Sequence, residues 1–123
     1  MVFLRPLKAD DHFPGLTGPE SGFLYYVALE GERLAGFCRY RRKAEEIELL
    51  ELSDGGDLEL ADGLLRAVLA AAVDSGVDRA ALSEEVAARL APLKLPLSSE
   101  NILKSIEQFL YFCKNCEKSK RVL

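Results

Sequence analysis

One helix signal, preceded by a glycine-containing turn, constrains the fold of this chain more than any other stretch of its sequence. Between residues 53 and 73, apolar residues recur at the spacing of a helix with one buried face: Ala61, Leu64, Leu65, Val68, Leu69 and Ala72. The turn Asp54-Gly55-Gly56-Asp57 joins this helix to a predicted strand. A strand, a glycine turn and a helix start form the geometry in which backbone N–H groups bind phosphate, but this turn is acidic.

The size and charge of the chain exclude several classes of protein. Its 123 residues fit one domain, and a formal charge of −4 with mixed acids and bases leaves no large basic field for nucleic acid. No window has the length of a membrane span, and the first residues lack the apolar run of a signal peptide. The three cysteines are therefore expected to be reduced thiols, and we predict a cytoplasmic protein without a nucleic-acid or membrane partner.

Local patterns predict the other elements. Strands are expected over residues 2–7, 23–29, 33–41, 47–52 and 77–82, and a further helix over 83–90. In the fourth strand, alternation places Ile47 and Leu49 opposite Glu48, Leu50 and Leu52. The prolines and glycines between residues 13 and 22 predict a loop. The order of elements predicts an α+β fold, with a mixed, mostly antiparallel sheet and helices packed on it.

The C-terminal part of the chain predicts a long helix. Residues 99–118 follow Ser98, a candidate N-cap, and their apolar positions around Phe109, Tyr111 and Phe112 are too broad for a single stripe. We therefore divide the chain into an α/β core, residues 1–97, and a C-terminal helix, residues 98–123. This helix is expected to cover a sheet face in its own chain or in a second copy, which predicts a homodimer formed through it.

Short stretches of the sequence resemble the Gcn5-related N-acetyltransferase (GNAT) family over residues 2–95. They are Phe3-Leu4-Arg5-Pro6-Leu7 with Asp10-Asp11, the run from Tyr26 to Phe37, and Leu64-Leu65 with Ala70, Ala71 and Gly76. The resemblance implies a GNAT-like fold, also called acyl-CoA N-acyltransferase-like. It also implies acetyl-CoA as the cofactor of any activity that the chain retains.

The sequence departs from the family at the positions that carry its chemistry. The family's acetyl-CoA loop reads Arg or Gln, two residues, Gly, one residue, then Gly or Ala. With the chain aligned on Leu64-Leu65, Gly56 replaces the Arg or Gln, Glu59 replaces the first Gly, and Ala61 keeps the last small position. The helix over residues 84–91 lacks the Tyr that often protonates the leaving thiolate. The loop at residues 13–22 replaces two helices, and the C-terminal helix is expected to replace the closing strands.

Two interpretations of the turn remain open. In one it cradles a phosphate. In the other it caps the helix, with Asp57 as N-cap and Glu59 in the first turn, where acids stabilise the helix dipole. The candidate CoA-binding residues, in a degenerate site, are Leu50, Leu52, Gly56, Asp57, Glu59 and Ala61. Leu50 and Leu52 belong to this set because the backbone of the splayed fourth strand would pair with pantetheine.

Other candidate sites have ordinary explanations. Cys113-Lys114-Asn115-Cys116 could be a redox pair or half a zinc site, but packing explains Cys113 better, and we predict no metal. His12 is expected to be a surface residue rather than a base, and Tyr111 to be packed rather than an acid. The basic run at residues 41–43 is expected to be solvated rather than an anion site.

Three functional hypotheses follow from these residues. The first is a GNAT-like binding or assembly module without acetyltransferase activity, for which no cofactor is expected and no catalytic residue is assigned. The second is an acetyl-CoA-dependent N-acyltransferase with an atypical CoA loop. The third is a thiol or zinc protein that uses the Cys-x-x-Cys pair.

Overall fold

The computed structural model describes residues 2–8, 10–13, 16 and 22–111 of the chain. Its strands are β1 (Val2–Pro6), β2 (Leu24–Glu30), β3 (Arg33–Arg42), β4 (Ile47–Ser53), β5 (Ala80–Leu82) and β6 (Ile102–Leu103). Its helices are α1 (Leu58–Asp74), α2 (Glu84–Arg89) and α3 (Ile106–Tyr111), with a 3₁₀ turn at Ala91–Leu93. Among these residues, no helix has the length and apolar character needed to cross a membrane.

The described strands form one sheet in chain order, β1-β2-β3-β4-β5-β6. Strands β1 to β4 pair antiparallel, β5 pairs parallel to β4, and β6 returns antiparallel to β5. The single parallel pair follows from α1, because two parallel neighbours need a crossover connection between them. The predicted α+β fold with a mixed, mostly antiparallel sheet is therefore confirmed.

Helix α1 forms the main packing surface of the core. Its buried residues are those that the periodicity predicted: Ala61, Leu64, Leu65, Val68, Leu69 and Ala72. They join a cluster with buried residues of the sheet such as Ala28, Cys38 and Leu49. Burying a Val or Leu side chain contributes roughly 1.5–3 kcal/mol, so this face supplies much of the driving force for folding.

A bulge in β4 changes the predicted arrangement of its side chains. Tyr40 pairs with Leu49 but Arg39 pairs with Glu51, so β4 contains one extra residue at Leu50. The extra residue reverses the alternation beyond it. Leu52 is consequently buried in the same core cluster as Leu49 and Ile47, and its predicted place on the opposite face with Glu48 was wrong.

The predicted helix start near Ser99 was also wrong. Ile102 and Leu103 form β6 and pair with Ala81 and Ala80, which buries Leu103 to 3% exposure. The Ser98 hydroxyl accepts hydrogen bonds from the N–H groups of Glu100 and Ile102 (both 3.2 Å), so it closes a turn instead of capping a helix. A short closing strand is therefore present where the sequence predicted none.

Helix α3 begins where a residue from a distant part of the chain caps it. Asp78 accepts hydrogen bonds from Ile106 N through its carbonyl (2.9 Å) and from Glu107 N through its carboxylate (2.7 Å). Ser105 also donates to this carboxylate and accepts from Gln108 N. Asp78 lies outside the local window from which caps are predicted, so the sequence did not reveal this start.

The described part of α3 packs against α1, with the Arg66 guanidinium 4.9 Å from the centre of the Phe109 ring. Tyr111, predicted to be packed, is 52% exposed at the last described position of α3. The predicted extension to residue 118 lies outside the described residues. The homodimer through the C-terminal helix and the boundary at residue 97 both stay predictions.

An ion pair holds the chain segment that follows β1. Arg5 donates to both carboxylate oxygens of Asp11 (2.7 and 3.0 Å), and Lys8 N donates to the same carboxylate (2.6 Å). The hydrogen bond from Arg5, with that from the Lys8 N–H, lowers the pKa of Asp11 to about 2. The described residues 10–13 and 16 are not helical, and the rest of the predicted loop lies outside the described residues.

We expect the substitution Asp11→Asn to destabilise the protein at neutral pH and to have no effect in strong acid. Because the folded-state pKa of Asp11 is depressed to about 2, its stabilising effect is present above its unfolded pKa, about 4. The effect is lost as the pH falls from about 4 through about 2. Urea titrations of both proteins between pH 7 and pH 2 should show the two midpoints converging over this range. A difference that stays constant across the range would contradict the assignment.

Candidate functional site: the turn between β4 and α1

The candidate site is the turn Asp54–Asp57, which connects the end of β4 to the start of α1. Gly55 and Gly56 have φ angles of 63° and 84°, in the left-handed region that glycine adopts without a Cβ clash. The N–H of Asp57 donates to the carbonyl of Asp54 (3.0 Å) and closes the turn. This backbone folds tightly at the point where a phosphate cradle would have to present free N–H groups.

Asp54 is the buried charged residue of this turn, with 4% exposure. Its Oδ1 accepts hydrogen bonds from Gly56 N and from Nη1 of Arg89, both at 2.8 Å. Arg89 is the last residue of α2, and its side chain is 42% exposed. The ion pair therefore joins the end of β4 to the end of α2, and it gives the buried carboxylate the counter-ion that burial requires.

Asp57 is the N-cap of α1, as predicted. Its Oδ1 accepts from the N–H groups of Glu59 (3.0 Å) and Leu60 (3.2 Å), and its carbonyl accepts from Ala61 N (3.0 Å). Together with Asp54, it supplies acceptors for the amides of residues 56, 57, 59, 60 and 61. Oxygens of the chain itself thus occupy most of the backbone donors at this helix start, where an anion would bind.

β4 continues beyond the end of β5 and is tied there to the start of α2. Parallel pairing stops at Leu49 and Leu82. Ser83 then donates its N–H to the Leu49 carbonyl (2.9 Å) and its hydroxyl to the Leu50 carbonyl (3.2 Å), while its Oγ accepts from Val86 N (3.1 Å). One backbone group proposed to pair with pantetheine, the Leu50 carbonyl, therefore already has a partner within the chain.

The predicted site residues do not form one surface. Gly56, Asp57 and Glu59 are exposed in the turn and the first turn of α1, whereas Ala61 is fully buried and Leu52 is 5% exposed. Sequence reasoning missed Asp54 as a buried ion-pair partner. It also missed Arg89 and Ser83, because nothing in the local spacing reveals a contact between residues about 30 positions apart.

The structure also describes two other sequence candidates, His12 and the basic run at residues 41–43, and the buried Cys38. His12 is exposed, as predicted. Arg41 and Lys43 pair with Glu48 (2.5 and 3.2 Å), and these contacts, that from Arg41 first, lower the pKa of Glu48. Burial raises the pKa of the Cys38 thiol to about 12, so it is unreactive at neutral pH.

Metal and thiol chemistry find no support in the described part of the chain. Its His, Cys, Asp and Glu residues form no group of three that could hold a metal ion. The Cys113 and Cys116 pair lies outside the described residues. The thiol or zinc hypothesis thus stays a prediction from the sequence.

Comparison with known proteins identifies the fold. No family model matches the sequence, and no curated protein matches it. Among solved structures, a GNAT family acetyltransferase from Elizabethkingia anophelis with acetyl-CoA bound superposes with a TM-score of 0.61 and 14% identity, over 76% of this chain and 72% of that one. The fold is GNAT-like.

Two further structures agree with this GNAT-like fold. A putative acetyltransferase of the GNAT family from Desulfovibrio desulfuricans has a TM-score of 0.56 and 14% identity, over 76% of this chain and 82% of that one. A probable GNAT family acetyltransferase from Chromobacterium violaceum has a TM-score of 0.51 and 20% identity, over 75% and 72%. At these identities the likeness concerns the GNAT-like fold and not the activity.

Proposed function

We propose that this chain is a GNAT-like domain that does not transfer acetyl groups and acts as a binding or assembly module. The observation that carries the proposal is the closed turn between β4 and α1. With the chain aligned on Leu64-Leu65, this turn corresponds in sequence to the acetyl-CoA loop of the GNAT family. The amides of residues 56, 57, 59 and 60 bond to oxygens of Asp54 and Asp57, and the nearby cation, Arg89, is already paired with Asp54.

Electrostatics argue against a diphosphate at this turn. Asp57 and Glu59 are exposed at the start of α1, where a bound pyrophosphate would meet their negative charges. Binding would also require amide donors that now bond to Asp54 and Asp57, and the buried Asp54 carboxylate would then keep Arg89 as its remaining described partner. Asp57 and Glu59 thus already compensate the positive end of the α1 helix dipole, without a ligand.

The competing proposal is an N-acyltransferase that holds acetyl-CoA along β4 instead of in the turn. Its specific support is the bulge at Leu50 together with the end of β4–β5 pairing at Leu49 and Leu82, which leaves the last residues of β4 without a β5 partner. The Elizabethkingia protein, which shares the fold, was solved with acetyl-CoA bound. The Leu50 carbonyl, however, already accepts a hydrogen bond from Ser83.

Acetyl-CoA titration separates these proposals, and we expect the full chain to show no binding. A ligand present at about 100 times its dissociation constant stabilises the folded state by about 2.7 kcal/mol, which shifts the melting temperature by several degrees. We expect 1 mM acetyl-CoA to leave the melting temperature unchanged within error. Calorimetric titration should likewise give no saturable heat.

The variant Asp57→Ser/Glu59→Gln provides the matched comparison, because Ser keeps the N-cap while both charges are removed. Acetyl-CoA binding by this variant alone would identify the acidic turn as the block. Micromolar binding by the natural sequence would overturn the non-catalytic proposal and favour the acyltransferase.

A further inference from the structure

A groove near the β6 edge of the sheet lies apart from the turn and has a different chemistry. It has a volume of about 760 Å³ and lies between residues 93–98, residues 103–105 and residues 108–109. We call it the C-terminal groove. Its apolar lining comes from Leu93, Pro96, Leu97, Leu103 and Phe109. Leu103 is buried in the core cluster, so the floor of the groove is continuous with the core.

Apart from Gln108, the polar residues of the C-terminal groove are of two kinds. Ser98 and Ser105 have structural roles: Ser98 closes the turn before β6, and Ser105 bonds to Asp78 at the start of α3. Lys94 and Lys104 are exposed and have no ion pair within the described residues. No Asp or Glu belongs to the described lining of the groove. The two charged side chains of the described lining are therefore both lysines, with the Asp78 carboxylate behind Ser105.

The charged side chains of the described lining are cationic, whereas the whole chain has a formal charge of −4. One lysine lies in the segment after the 3₁₀ turn, and the other directly follows β6. An extended segment with an apolar side chain between two carboxylates matches an apolar floor with two separate lysines. The chain's own residues 112–123 match it poorly, since they contain four basic residues and one acid.

We propose that the C-terminal groove binds an acidic segment of a partner protein, with an apolar side chain of that segment on the floor formed by Leu97, Leu103 and Phe109. Lys94 and Lys104 pair with its carboxylates. This inference names the class of partner that the proposed binding module would bind, and to that extent it rests on the proposed function. It does not depend on whether the β4–α1 turn binds acetyl-CoA. The acetyl-CoA titration and the peptide titration therefore test the two proposals independently.

Fluorescence anisotropy of the full chain with a labelled peptide, Asp-Glu-Leu-Asp-Phe-Glu-Asp, tests the proposal. We expect saturable binding that weakens at least about tenfold when Asn and Gln replace the acids of the peptide. The variant Lys94→Gln/Lys104→Gln should weaken binding by about tenfold, since two partly exposed ion pairs are lost. The control Lys8→Gln/Arg42→Gln removes the same charge from exposed positions elsewhere and should stay within about twofold.

Amide chemical shifts locate the bound peptide, and the proposal requires them to change at residues 97, 103 and 108. Equal weakening by both double variants would show a general charge effect and overturn the proposal. The proposal would also be wrong if neither the acidic peptide nor its Asn and Gln counterpart bound, and NOEs connected the groove to residues 112–123 of the same chain. If the chain instead self-associated, did not bind the peptide, and lost self-association in the variant Lys94→Gln/Lys104→Gln, the occupant would be a second copy of the chain. That result would equally overturn the proposal.

Discussion

Substituting Gly36 with Ala is expected to lower the free energy of unfolding by roughly 2–3 kcal/mol, near the upper end for overpacking a core. A Cβ at this position would lie 2.5 Å from the carbonyl oxygen of Ser53 and 3.1 Å from Cδ2 of Leu60. The closer atom belongs to the backbone of β4, where Ser53 pairs with Phe37 of β3. The clash therefore cannot be relieved by rotating a side chain, and the strands must separate.

The substitution Gly63→Ala is the matched control for this prediction. A Cβ at Gly63 would have Leu4 Cδ1 as its nearest neighbour at 3.5 Å, an ordinary contact, and Gly63 lies inside α1. Replacing glycine by alanine in a helix gains roughly 0.5–1 kcal/mol, so this variant should be more stable than the natural sequence. Urea unfolding of both variants measures the difference. Equal stability of Gly36→Ala and the natural protein would contradict the packing described between β3, β4 and α1.

The second large effect is expected at the ion pair between Asp54 and Arg89. Arg89→Ala leaves a carboxylate with 4% exposure bonded only to the Gly56 N–H among the described residues. Breaking a buried pair costs about 3–5 kcal/mol; because Arg89 is partly exposed, we expect roughly 2–3 kcal/mol. Asp54→Ala should cost a similar amount, since the turn loses its acceptor. The double variant should cost less than the sum, with a coupling of about 1–2 kcal/mol.

A surface pair supplies the comparison for this double-mutant cycle. Arg79 pairs with Glu46 at 3.2 Å, and its side chain is 47% exposed, close to the 42% of Arg89. The carboxylates differ, because Glu46 is 25% exposed and Asp54 only 4%. Arg79→Ala should therefore cost no more than about 1 kcal/mol. If the two arginine variants were equally stable, burial of Asp54 would have no energetic consequence and the described turn would be wrong.

Local sequence patterns predicted most of the sheet and its main helix. The buried stripe of α1 could be predicted because a helix of 17 residues with one apolar face repeats its signal several times. Asp57 could be predicted as the N-cap because a cap acts on amides two and three residues away. Strands β1 to β4 were likewise predicted from patterns within each segment: apolar and aromatic content for β2, and alternation for β3 and β4.

Predictions failed where a contact between distant residues outweighed the local pattern. Ile102, Leu103 and Ile106 have helical spacing, but pairing with β5 makes Ile102 and Leu103 a strand, and Asp78 fixes the start of α3. The bulge at Leu50 arises from the register of β3 on β4, which no window of β4 contains.

The candidate site, too, combines features that the local sequence predicts with features that only contacts between distant residues determine. The acidic, glycine-containing turn and its capping residue could be read from the sequence. Only the tertiary structure brings Arg89 to Asp54 and Ser83 to Leu50, across 35 and 33 positions of the chain. It also assembles the C-terminal groove from three separate segments. Local periodicity reports which face of an element is buried, but an ion pair or a groove depends on distances that the whole sheet determines.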